Sequence, residues 1–225
     1  MKNFLKKFKG KPLNDEKAAI GMHYCFLNAK DLYEDAKLLK KNKRYSRAFS
    51  LLILSLEELA KIPILLNTIF YSKDDDKKWN AFWKSFNTHS DKQIMWSFYG
   101  EYLEKYFNNY SFEDRYPPGL QPLLEKGKQL CFYVNFFEND FIKPDDFAKD
   151  NIEWLNWIIE FTEKRIKSFS SFHSSLNRSR VVVKHTKNIF SLFKNNMGEA
   201  ELKSLIKDII KDTINEFRKL SDIES

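Results

Sequence analysis

Glycine and proline are scarce in this chain, with six of each among 225 residues. No Asn-Gly or Asp-Gly pair is present, so the usual two-residue hairpin signal is missing and helices are favoured over sheets. Cysteine is rarer still. Cys25 and Cys131 fall inside apolar periodic segments with no CxxC spacing, which reads as two reduced core thiols of a cytoplasmic protein. Four scattered histidines and two distant cysteines make no zinc pattern, so neither metal nor cofactor is expected. No run of about 18 apolar residues exists, which argues against a membrane span. The basic start "MKNFLKKFKGKP" lacks the apolar centre of a signal peptide. GxGxxG, Walker and GxSxG motifs are all absent from the sequence.

What remains is apolar, aromatic and basic. Hydrophobic residues make up 43% of the chain and aromatic ones 16%, enough for a sizeable packed core. Lysine and arginine exceed the acids, 38 to 31, and a formal charge of +7 suits an anionic partner such as RNA. From Asp15 to Asn42, Ala18, Met22, Cys25, Ala29, Leu32, Ala36 and Leu39 recur at helical spacing. A second helix, Ser46 to Ile69, is apolar on nearly every side and belongs in the middle of a bundle. Pro63 is expected to kink it. A third helix is predicted from Lys77 to Asn109, burying Trp79, Phe82, Trp83 and Phe86. Leu120 to Phe137 starts helical and turns strand-like in "LCFYVNF". Asp145 to Phe169 reads as one more helix, and an amphipathic helix closes the chain from Leu202 to Phe217. The reading is an all-α bundle with a C-terminal basic segment and amphipathic helix. A basic arm covers 1–14, a helical domain 15–170, and a basic linker with a helical extension 171–225.

Three constellations carry charge where chemistry is possible. In "EELAK", Glu57, Glu58 and Lys61 sit on the predicted central helix, where charges must be paired or must line a cleft. Spacings of three and four allow pairs of Lys61 with Glu58 or Glu57 along the helix. An internal ion pair fixing bundle register and a polar cleft shared with another helix are both open. In "FWKSFNTHSDKQ", His89 and Lys92 share a helical face; they are either solvated polar residues or the far wall of that cleft, supplying a proton carrier and a phosphate-neutralising cation. In "NRSRVVVKH", Arg178 and Arg180 precede His185. Around them the chain has no acid between Glu163 and Glu199 but holds Lys164, Arg165, Lys167, Arg178, Arg180, Lys184, Lys187 and Lys194. That run is either a solvated linker or an RNA-backbone contact surface.

The ordered blocks "FLNAKDLYEDAKLL", "RYSRAFSLLILSLEELAK", "FWKSFNTHSDKQ", "KGKQLCFYVNF" and "KPDDF" resemble the AbiV family of abortive infection proteins, assigned to the HEPN superfamily of helical nucleases. The resemblance implies a HEPN-like bundle, a homodimer, and a phage-defence effector that cleaves RNA without metal. It matches a Glu-Glu-x-x-Lys helix to Glu57, Glu58 and Lys61, and a His-x-x-Lys helix to His89 and Lys92. Where the family usually has Tyr-Val-Asp, this chain has Asn135 in place of the acid. HEPN nucleases generally carry Arg-x4–6-His, which here occurs only at Arg178, Arg180 and His185. Two active sites therefore compete. In the first, His89 is general base or acid, Lys92 and Lys61 stabilise the phosphorane, and Glu58 and Glu57 orient them. A phage-encoded activator is implied for such a nuclease. A non-catalytic RNA- or ribosome-binding module, or a partner-binding helical protein that blocks translation, would share the same blocks.

Overall fold

The alanine stripe of the first helix lets it lie close against the second. The computed structural model describes residues 12–88, 120–137, 139–193 and 198–224. Helix α1 is Asp15–Lys41, capped by Asn14, whose side chain accepts the Lys17 N–H at 2.8 Å. Asp15 and Glu16 in its first turn and Lys40 and Lys41 in its last suit the helix dipole. Ala18, Ala29 and Ala36 are fully buried. They bring the backbone near enough for the Ser55 hydroxyl of α2 to donate to the Ala29 carbonyl at 2.6 Å.

Helix α2, Tyr45–Asn67, occupies the centre, with Leu52, Leu59 and Ile62 wholly enclosed. Burying each such side chain contributes roughly 1.5–3 kcal/mol. Pro63 is buried inside this helix, which continues to Asn67 and a single 3-10 turn, Thr68–Phe70. Helix α3, Asp76–Asn87, starts on Asp75, which accepts the Lys78 N–H at 3.0 Å, and buries Trp79 and Phe82. The expected continuation to Asn109 stops here. Thr88 is extended, and its N–H and hydroxyl both turn back to the Lys84 carbonyl, at 3.0 and 2.8 Å. His89 and Lys92 lie outside the described residues.

Helix α4, Leu120–Phe132, passes close over α2 at Gly127, where a Cβ would meet Phe49 Cε1 at 2.9 Å. Strands β1, Asn135–Phe137, and β2, Asp140–Ile142, form an antiparallel hairpin pairing Phe136 with Phe141; Asn139 turns the chain at φ 72. The single helix expected over Asp145 to Phe169 is two. Helix α5 is Pro144–Asp150 and α6 is Ile152–His173. At the break, the Asn151 amide donates to the Phe147 carbonyl at 2.8 Å, taking the acceptor that a continuing helix would use. Residue 170, where the sequence suggested a boundary, lies inside α6. The "linker" beyond it is helix α7, Leu176–Leu192, capped by Ser175, and it packs on α1. Helix α8, Glu199–Glu224, packs on α7. Eight helices and one small hairpin thus make the described residues an all-α bundle. Among them no helix is long and apolar enough to cross a membrane.

Candidate active site

The two glutamates of "EELAK" diverge, because adjacent residues on a helix point about 100° apart. Glu57 turns inward and is 3% exposed. Its carboxylate receives the Lys128 ammonium of α4 at 2.8 Å, and Glu125, one turn earlier on α4, takes the same ammonium at 2.8 Å. Burial opposes the charge on Lys128, yet the hydrogen bonds to Glu125 and Glu57 outweigh it and hold its pKa above the ordinary lysine value. Glu57 thus joins two helices, a link that spacing along α2 does not reveal. Glu58 pairs with Lys61 along the helix, as its spacing allows, and both side chains are largely covered.

Lys61 also reaches α3. Its ammonium lies 5.3 Å from the centroid of the Phe86 ring, within range of a cation–π attraction. Phe86 stands next to the end of α3, two residues before Thr88. The Glu58–Lys61 pair thus faces the end of the helix from which the chain leads to His89. On the other side, Lys128 and Glu125 border a cavity of about 500 Å³, with Leu54, Gln129, Phe132, Tyr133 and Asn135 around them.

The competing Arg/His motif is spread along α7 and engaged elsewhere. Arg178 is buried; it donates to the Ser171 carbonyl at 2.9 Å and to the Ser221 hydroxyl at 2.6 Å, and its guanidinium lies 5.6 Å from the Phe217 ring. It fastens α8 to the bundle. Arg180 makes a two-nitrogen pair with Glu16 of α1, whose carboxyl this pair holds below the usual range. His185 is buried with Nε2 3.3 Å from Glu216 Oε1, without hydrogen-bond alignment, and among the described residues Nδ1 meets no partner. Burial raises the Glu216 carboxyl, but Lys184 and His185 prevail and keep it below its ordinary pKa.

The basic stretch is likewise met by acids. Lys167 pairs with Glu163 at 2.7 Å, Lys184 with Glu216, and Lys187 with Asp15. Arg165 is buried with its guanidinium 5.2 Å from the Phe161 ring. Lys164 is also engaged within the structure. Lys194 lies outside the described residues.

The AbiV family model, of HEPN type, matches residues 17–167. The chain belongs to the AbiV family. Comparisons with curated proteins and with solved structures return no match. The AbiV match spans α1 to most of α6 and so includes Glu57, Glu58, Lys61 and Lys128, whereas Arg178, Arg180 and His185 lie beyond it. It places the chain among HEPN-type abortive-infection proteins. The charges of α2 do not by themselves point to Lys128 and Glu125. The available signal was a Glu-x-x-Lys pair on a mostly apolar helix, with Gly127 marking a close approach to α2.

Proposed function

We propose that this AbiV protein is a metal-independent HEPN ribonuclease that cuts RNA in phage-infected bacteria and so halts translation. The observation that carries the choice of site is the Lys61 ammonium, paired with Glu58 and set against Phe86 at the end of α3. It is a largely covered cation on the side of the central helix that the His89 segment approaches in sequence. In the mechanism, His89 takes the proton of a ribose 2′-hydroxyl, whose oxygen attacks the adjacent phosphorus. The bond to the 5′-oxygen breaks, and that oxygen leaves with the proton that His89 gives back, giving a 2′,3′-cyclic phosphate and a 5′-hydroxyl end. Lys61 and Lys92 stabilise the charge on the phosphorane, and Glu58 orients Lys61. Glu57 acts at one remove, through Lys128. The protein works in the cytoplasm as a homodimer, under the control of a phage-encoded activator.

The rival assignment to His185 with Arg180 or Arg178 has less support, since Arg180 is paired with Glu16 and Arg178 ties α8 in place. The test is cleavage of labelled RNA in EDTA by the purified chain and by His89→Ala and His185→Ala. Each is assayed with and without extract of infected cells, against extract alone. Loss of cutting only in His89→Ala is expected. Loss only in His185→Ala moves the chemistry to α7, and absence of cutting in every sample leaves an RNA- or ribosome-binding module.

A further inference from the structure

The cations from 164 to 187 are engaged within the fold, whereas some others are not. Arg47, in the first turn of α2, and Lys143, between β2 and α5, meet no acid among the described residues. Both line a cavity of about 660 Å³ whose other walls include Leu39, Leu51, Phe132 and Pro144. Asp145 also borders this cavity, but it is turned onto the Ser46 hydroxyl at 2.6 Å. Phe132 separates it from the cavity that reaches Lys128. Tyr133, which borders the second cavity, is 66% exposed; on the hairpin that follows, Phe136 is 62% exposed and Phe141, two residues before Lys143, is 70%. Phe136 and Phe141 face each other across the hairpin at 5.1 Å.

Exposed rings on one short hairpin and on the chain leading into it mark a binding surface. A protein partner could cover the rings, yet it would leave two unpaired cations beside them without a role. A duplex could meet the cations, but its bases are already stacked on one another. Single-stranded RNA uses both, since unpaired bases stack on aromatic side chains while the backbone meets the cations.

We infer that the hairpin face binds single-stranded RNA, with bases stacked on Tyr133, Phe136 and Phe141 and phosphates held by Arg47 and Lys143. The inference rests on the RNA-directed function proposed above, and it moves the RNA surface from α7 to the hairpin. A strand lying there would pass the cavity bordered by Lys128 and Glu125, which backs onto Glu57.

The test is fluorescence anisotropy of the full chain with a short labelled single-stranded RNA carrying 2′-O-methyl groups, which cannot be cut by 2′-hydroxyl attack. Tyr133→Ala and Phe141→Ala are each expected to weaken binding by about thirtyfold, the middle of the range for one lost stacking contact. The double variant Arg47→Ala/Lys143→Ala is expected to flatten the slope of log affinity against log salt by about 1.4, as for two lost single-strand phosphate contacts. All these side chains are exposed or border open cavities, and circular dichroism checks that the variants fold. Wild-type affinity in the aromatic variants overturns the inference. So does a loss that follows Arg180→Ala/Lys187→Ala instead, or a wild-type chain that binds no RNA, which would make this face a protein-docking surface. Cleavage lost in His89→Ala with the hairpin variants binding normally removes this inference and keeps the ribonuclease. Binding lost as expected with no sample cutting does the reverse.

Discussion

Acid should destabilise this protein through one histidine. His173, at the end of α6, is fully buried; its Nδ1 lies 3.0 Å from the Ser179 hydroxyl, and among the described residues Nε2 meets no partner. Burial, with a smaller contribution from His23, pushes its pKa down to about 3 from 6.5. Because the folded pKa is lowered, the folded state holds the ring neutral while the unfolded chain takes up a proton near pH 6.5. Stability is therefore intact above that pH and falls as the pH drops, until the folded state also protonates near pH 3. By linkage the loss is about 2 kcal/mol at about pH 5, rising toward a ceiling of about 5 kcal/mol below about pH 3. Glu16, Asp75, Glu163 and Glu216 are all held below their ordinary values, so their losses come mainly below the interval from 5 to 6.5. Urea unfolding at pH 7.5 and pH 5 should show wild type losing about 2 kcal/mol more than His173→Gln over that interval. The variant starts from lower stability, having lost the imidazole packing, but it lacks this proton uptake. An equal loss in both proteins would refute the reasoning.

Lys128→Met removes the cation that meets buried Glu57 from α4, so a loss of about 3–5 kcal/mol is expected in chemical denaturation; adding Glu57→Gln should recover much of it. Gly127→Ala sets a methyl 2.9 Å from Phe49 Cε1 and should cost about 1–3 kcal/mol, with Phe49→Leu restoring part, as thermal melts will show. The Cys131 thiol is pushed up to about 12, chiefly by burial and then by Asp145; native protein at pH 8 should leave it unmodified by a disulfide reagent, with reaction appearing in urea. Arg178→Ala should raise hydrogen exchange across 213–223, because it removes the bond to Ser221. Arg180→Ala should leave that segment protected.

Much of the fold was legible because its information is local. Ala18, Met22, Cys25, Ala29 and Ala36 repeat at helical spacing, and all are buried. The nearly uniform apolarity of α2 announced its central place. The ends of α3 and α5 were not legible in the same way, since each depends on one side chain, Thr88 or Asn151, bending back to its own helix. Period reveals a buried face but not the neighbour it meets. Glu57 could be read as needing a partner, yet that partner lies 71 residues away. The stretch from 164 to 194 looked like a free cationic surface because Asp15, Glu16 and Glu216, which meet it, are remote in sequence. The charged pair Glu58 and Lys61 followed from spacing alone.

The pairs joining Arg180 to Glu16 and Lys187 to Asp15 span 164 and 172 residues. During synthesis α1 and α2 can close on each other early, while the acids at the head of α1 wait for the last quarter of the chain to emerge. Contacts so far apart close late, since loop closure must precede their gain. The positive face of α7 is therefore neutralised as soon as it reaches the bundle, by groups already in place. In a cell crowded with ribosomal RNA, that order of assembly leaves little time for the α7 cations to bind nucleic acid indiscriminately before the fold has closed.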